Sequence, residues 1–474
     1  MPWLTIIIAL PLAGACAVGI GARLPMRARA VALAFALLEL ALTGYLAIAR
    51  AAGPLTERLG SGGVWRLRLD GLALPLVALT AVLGAVAVLA SWRVERAPAG
   101  HFALLLALTS AVMAVFLAAD LVLFYVAWEA VLIPMYFLIG VWGHEHRRHA
   151  AMKFFLYTFA GSALMLVGLL LTIFAQSGSA MSAPARALPT GTQTLVFWLL
   201  AAGFLVKIPV LPLHTWLPDA HVEAPTAGSI MLAGVLLKMG GYGMLRLALP
   251  LAPHAFRAAA PVLAGLGIAG IVYGALMALA QTDLKRLVAY SSVSHMGFVV
   301  LAIAVATPAA IGAAMLGMVS HGLVAALLFL LVGQLYDRTH TREIARFGGL
   351  TAQLPRWGAV FTFAALASLG LPGLSGFPGE LLTVLEGAGP YGAWMALPAL
   401  GVVLAAAYNL YAVRRVNHGP LPDEWETLPD LGRLELAAAA PLAAGVVALG
   451  VWPALVLAVT GPVSAMLARV LGGA

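Results

Sequence analysis

The chain has almost no cysteine and little charge. Cys16 is the single thiol among 474 residues, and only 10% of the residues are charged. One thiol excludes a disulfide framework, and it excludes an iron–sulfur cluster held by protein sulfur, which needs several. Soluble domains carry about 25% charged residues. A soluble globule that is 62% hydrophobic would expose apolar patches that soluble monomers avoid. Glycine-rich nucleotide loops, CxxC pairs and Ser/His/Asp patterns with a supporting context are missing too. No nucleotide or redox centre is therefore expected on this chain, and no polar stretch is long enough for a soluble domain.

What is present is long runs of Ala, Leu, Val and Gly, with a mean hydropathy of +1.00. Lipid suits such a chain better than water. Helices are the spanning unit, because each satisfies its own backbone hydrogen bonds. A barrel would show segments of about ten residues in strict alternation. Runs of about twenty apolar residues predict an all-α integral membrane fold of about fourteen spans. They fall near 2–21, 29–49, 71–91, 101–118, 120–141, 150–175, 193–212, 224–249, 260–280, 284–306, 309–335, 357–385, 391–412 and 434–460. The first run lacks a basic start and is too long for a signal peptide, so it reads as a retained span.

The sequence pI is about 9.8, but the basic residues fall in short loops. They read as topology determinants rather than contacts to nucleic acid. With loops numbered alternately, one side receives 17 Lys and Arg, from Arg23 and Arg27 through Arg147, Lys153, Lys285 and Arg342 to Arg433. The other receives 8, among them Arg50, Arg66, Arg68, Arg186, Arg246 and Arg257. The positive-inside rule makes the richer side cytoplasmic. That predicts a multi-pass protein of the bacterial inner membrane with both termini on the periplasmic side.

Two lysines are left over, Lys207 and Lys238, each deep in an apolar run. Glu129 and Glu380 are placed alike. A charge at the bilayer centre costs about 2.5–3.5 kcal/mol even on the lenient insertion scale. Such groups should face the interior and pair, or line wetted cavities. Structural ion pairs are the bland explanation; proton or ion handling fits better. Burial disfavours a charged form and a nearby opposite charge restores it. A buried lysine thus holds or releases its proton according to how near its glutamate lies.

Two helices read as broken. Pro209, Pro212 and Pro218 follow Lys207, and Pro372, Gly373, Gly376, Pro378 and Gly379 precede Glu380. Breaks at membrane depth are tolerated where backbone lines a cavity, and paired interrupted helices point to inverted repeats. The breaks fall in spans seven and twelve, five apart, so spans 4–8 and 9–13 read as two inverted repeats. The predicted division is 1–100, an N-terminal three-helix segment; 101–250, the first repeat; 251–415, the second; and 416–474, a loop and last span.

His295 and His321 fall inside spans ten and eleven and can relay protons between ring nitrogens. Lys285 lies at the start of span ten, at a cytoplasmic mouth or as a topology charge. His214, Asp219, His221 and Glu223 have irregular spacing in a proline-broken loop, which favours a capping or gating loop over a metal site. Glu39 in span two lacks an obvious partner; snorkelling and a neighbouring subunit are both open. His144 to His149 read as a solvated turn.

Three stretches carry a resemblance: LVLFYVAWEAVLIPMYFLIGVWG, VKIPVLPLHTWLPDAHVEAPTAGSIMLAGVLLKMGGYGMLR and QTDLKRLVAYSSVSHMGFV. They closely resemble the antiporter-like subunits of respiratory complex I, the proton-pumping NADH:quinone oxidoreductase, and of Mrp cation/proton antiporters. The resemblance covers roughly spans 4–13. It implies fourteen helices with two inverted five-helix repeats and a proton-transfer axis of Glu129, Lys207, Lys238, His295, His321 and Glu380. Glu129 looks like the span-five glutamate and Lys207 like the lysine it pairs with. Sister subunits tend to carry lysine at position 380; glutamate there resembles the M-type branch. The resemblance also implies partners: L-type and N-type antiporter-like chains, small membrane subunits and lipids. Flavin, iron–sulfur clusters and quinone belong to other subunits. An Mrp-type antiporter subunit and a pump module of a hydrogenase or formate-driven complex remain alternatives, as does a scaffold whose charges serve assembly.

Overall fold

A computed structural model describes residues 2–21, 25–50, 53–60, 63–181 and 188–472. Arg23 and Arg186, counted above among the loop charges, lie outside the described residues. Among the described residues, twelve helices are long and apolar enough to cross a membrane, and two shorter apolar helices lie near the ends. With Gly376–Asn417 divided at Ala396, Pro355–Ser368 added and the last two helices joined, the described helices make fourteen crossings in chain order. Span one is Trp3–Gly21, two Pro25–Ala49, three Ala73–Ala90, four Pro98–Leu117, five Leu121–Trp142 and six Arg147–Gln176. Span eight is Thr226–Leu251, nine Pro253–Leu279, ten Leu284–Val305, eleven Pro308–Thr339 and thirteen Ala396–Asn417. Span five divides into Leu121–Ala130 and Leu132–Trp142, seven into Thr190–Lys207 and Trp216–Glu223, twelve into Pro355–Ser368 and Gly376–Tyr391, and fourteen into Arg433–Val451 and Ala454–Val470.

Proline chemistry explains the breaks. A proline has no N–H and clashes with the turn before it. Pro134 interrupts span five at Val131. Pro209 and Pro212 end the first half of span seven at Lys207. The Val206 carbonyl left over there accepts instead from Trp216 Nε1 at 3.0 Å. In span twelve, Gly370 and Gly373 take φ of +81° and +91°, a left-handed backbone open to glycine at little cost. Span fourteen only bends at Pro453 and runs on to Val470. It is longer than the predicted 434–460, because one proline in a long apolar stretch redirects a helix without ending the crossing. Span thirteen starts at Ala396, five residues after the predicted 391, because a single turn of 3₁₀ helix, Gly392–Met395, precedes it.

Spans eight and eleven form the centre. Their most apolar windows are 94% buried, against 28% in spans two and fourteen. Large apolar side chains on the outer faces, such as Leu156, Phe159 and Phe174, stay exposed, as a lipid solvent allows. A short antiparallel hairpin, Leu55–Arg58 with Arg66–Leu69, was not foreseen. It sits at the arginine-poor face, where Glu57 accepts from Leu4 N at 2.9 Å. Arg257 donates to the Leu471 carbonyl at 2.9 Å on that same face. Both ends of the described chain therefore lie on one side.

Candidate functional site

Four of the six predicted site residues meet in two direct contacts. Lys238 sits on span eight between two π-helical turns, Leu232–Leu236 and Met244–Ala248. Such turns shift the hydrogen-bonding register and cluster at functional sites. Here the Ala233 carbonyl accepts from Lys238 Nζ. The same ammonium lies 2.7 Å from His321 Nδ1 on span eleven. The helices can come this close because of Gly234 and Gly322: a Cβ on Gly322 would stand 2.8 Å from the Gly234 carbonyl.

In the second repeat, His295 Nδ1 lies 2.7 Å from Glu380 Oε1. The other ring nitrogen faces Tyr408 OH at 3.1 Å and Ser368 Oγ at 3.3 Å. With Nε2 accepting from these hydroxyls, Nδ1 carries the proton and donates to the carboxylate. Glu380 reaches this position because the second half of span twelve starts at Gly376, one turn earlier. The two contacts are not joined directly. The His295 and His321 rings stand 5.8 Å apart between centroids. A cavity of about 30 Å³, bordered by both rings, Ser320, Ser368 and Glu380, lies between them. A water needs at least about 10–15 Å³, so the gap holds one or two.

Lys207 and Glu129 are not brought into contact. Lys207 is 1% exposed, and its Nζ has no hydrogen-bond partner among the described residues. It faces the rings of Trp128 at 5.7 Å and Phe154 at 5.3 Å. Glu129 acts on it through space, but the pair forms no ion pair within 4.0 Å. Glu129 is half-buried, and its Oε1 also lacks a partner among the described residues.

A family profile described as NADH:quinone oxidoreductase/Mrp antiporter, TM, matches residues 118–406, which contain all six of these residues. The chain belongs to that family. It is 45% identical over 415 residues to the NADH-quinone oxidoreductase subunit M of Rhodobacter capsulatus, covering 84% of this chain and 81% of that one. It superimposes with a TM-score of 0.92 on a chain of respiratory complex I from Thermus thermophilus with bound NADH, at 32% identity over 99% and 100% of the two chains. A chain of the Mrp complex from Dietzia sp. shares the fold, with a TM-score of 0.86 at 22% identity over 99% of each. The relatives named as NADH-quinone oxidoreductase subunits make this an antiporter-like membrane subunit of the complex I translocase class, of M type.

For several other groups named from the sequence, this antiporter-like subunit shows contacts that the sequence did not. The loop at 213–223 is in its second part a helix, Trp216–Glu223, so its charges point in different directions. Asp219 bridges Lys153 at 2.6 Å and Arg286 at 3.2 Å. Glu223 accepts from His146 N at 2.9 Å. His214 lies edge-on to Tyr273. His221 stacks on Phe329 with centroids 4.4 Å apart, and neither ring nitrogen has a partner among the described residues. Its charged neighbours are Lys285 and Lys238, which puts it between the arginine-rich face and the central contact. Lys285 is buried and donates to the Ala224 carbonyl at 2.6 Å, at the end of that helix. The turn at 144–149 borders a cavity of about 700 Å³ on this face, with Asp283, His340 and Glu343. His144 there is pushed down to about 3, by burial first and then by the charges of Lys285 and Arg342. Arg246, counted above as a loop charge, lies inside span eight. Glu39 is 1% exposed with both carboxylate oxygens unpartnered among the described residues. It therefore neither snorkels nor reaches a neighbouring subunit.

Proposed function

We propose that the chain is one proton-pumping module of a bacterial NADH:quinone oxidoreductase and carries no electrons itself. The observation that carries this reading is the pair of contacts, the buried Lys238 with His321 and the part-buried His295 with Glu380, beside one water-sized cavity. Proton-exchanging groups in that order form a transfer line needing no cofactor. Glu129, Lys207, Lys238, His321, His295 and Glu380 are its working residues. Quinone reduction on another subunit changes the charge of a neighbouring chain, and Glu129 responds by moving. With Glu129 away, Lys207 loses its counter-charge and gives up its proton toward Lys238 and His321. The cavity water passes it to His295 and Glu380, which release it on the far side. The cavity on the arginine-rich face and His221 supply the replacement.

The arginine-rich face is cytoplasmic in this reading, the membrane is the bacterial inner membrane, and both termini are periplasmic. The partners are L-type and N-type antiporter-like chains, small membrane subunits and lipids. Flavin, iron–sulfur clusters and quinone sit on other subunits. The segment boundaries at residues 100, 250 and 415 separate the N-terminal helices, the two repeats and the last span. Lys207→Ala should cut proton pumping and coupled quinone reduction by about tenfold or more, a barrier change of about 1.4 kcal/mol or greater. Wild-type pumping in an assembled variant sinks the reading. Purification of the chain in mild detergent tests the assembly. Flavin and iron–sulfur partners with NADH-driven quinone reduction support it. Small antiporter partners without redox activity replace it with cation/proton exchange.

A further inference from the structure

Lys238, Tyr242 and Arg246 follow one another at intervals of four residues along span eight, from the centre toward the arginine-poor face. Arg246 grips Asp70 with both terminal nitrogens, at 2.7 and 2.6 Å. Its Nε donates to Tyr242 OH at 2.9 Å, and the guanidinium lies 5.1 Å over the Tyr242 ring. Tyr242 OH in turn donates to the Phe116 carbonyl at 2.7 Å. Asp70 is held at the start of span three by the Leu72 and Ala73 amides, at 3.1 and 3.2 Å. The Arg246 and Asp70 side chains are each only 10% exposed.

We propose that this Arg246–Asp70–Tyr242 cluster is a proton-tight plug that closes the arginine-poor end of the first repeat. It rests on the pumping reading above, in which Lys238 carries protons. A relay group must take a proton on one side and release one on the other. Tyrosine OH spends its proton on a backbone carbonyl, which cannot hand it on. Guanidinium does not deprotonate in proteins. Both Asp70 oxygens are taken up by the guanidinium, one of them also by backbone amides. The second repeat ends differently at this face: Glu386 Oε2 accepts from Thr307 Oγ1 at 2.5 Å, and Thr307 borders a cavity of about 380 Å³. At this face the second repeat thus presents a carboxylate beside a cavity, and the first a guanidinium bound on every side.

The test uses the whole complex in liposomes, without NADH, under a potassium-diffusion potential and with a pH-sensitive dye inside. Arg246→Gln and Asp70→Asn should each raise passive proton permeability about tenfold or more, while NADH oxidation persists. Tyr242→Phe, which keeps the ring, should leak less. Adding Lys238→Ala to Arg246→Gln should close the leak again, because the inner carrier is gone. Tight membranes in assembled Arg246→Gln and Asp70→Asn complexes overturn the plug. A leak that survives Lys238→Ala also overturns it, since that leak comes from damaged packing. If the first two variants fail to assemble, Tyr242→Phe decides: a leak supports the plug and a tight membrane removes it. Passive leak is read without turnover, so a failure of the pumping reading, seen in Lys207→Ala, stays distinguishable.

Discussion

At position 207 two aromatic rings stand where a carboxylate would be expected. Cation–π contacts are worth about 0.5–2 kcal/mol each, while taking an ion out of water costs several kcal/mol. The rings cannot hold the charge alone, so position 207 depends on how near Glu129 comes. Position 144 is a histidine whose neutral form the fold favours. Its pKa is lowered from 6.5 to about 3 in the folded chain, so the unfolded chain binds the extra proton between those values. Stability is then fully present above about pH 6.5 and falls as pH drops toward 3. His144→Gln should flatten that acid slope in a thermal melt of the purified complex; an unchanged slope refutes it. Lys207, Lys238, Glu129, Glu380 and the two histidines were legible because each interrupts an apolar run. Their contacts were not, since His295 and Glu380 lie 85 positions apart. Arg246 was misread for a related reason. Near the end of a span an arginine looks like a snorkelling topology charge, and Asp70 lies 176 positions away.

Among the elements, the closest approach matters most. Spans eight and eleven meet at Gly234 and Gly322, at the level of the Lys238–His321 contact. Gly322→Val would drive a side chain into the Gly234 carbonyl and Leu79. Overpacking of this kind costs about 1–3 kcal/mol, and it should lower the melting temperature and slow pumping together. A variant that melts lower but pumps normally would show that the contact tolerates separation. The broken helices were readable from proline and glycine clusters, because those residues alter backbone hydrogen bonding whatever surrounds them. The helix Trp216–Glu223 was not readable: eight residues give too few turns for a periodic pattern, and Pro218 disguised its start. The π turns of span eight leave no compositional mark; the first packs against spans eleven and three, the second against span seven, all distant in sequence.

For the molecule as a whole, the arginine asymmetry makes a labelling prediction. The native thiol, Cys16, is exposed, so a Cys16→Ser background serves. Glu145→Cys, on the arginine-rich face, should react with an impermeant maleimide only from the cytoplasm. Gly178→Cys, where a new Cβ meets nothing within 4 Å, should react only from the periplasm. The reverse pattern would invert the orientation proposed above. The crossing number and the common side of both ends were within reach of hydropathy, because each crossing must bury about the same length of chain in lipid. The hairpin was not, being short and polar. The gap between His321 and His295 has its own bearing on the whole. Two charged clusters separated by a space for one or two waters form an open circuit. On the pumping reading, current flows only while water bridges that space, so drying it is enough to hold the membrane's stored voltage in an idle subunit.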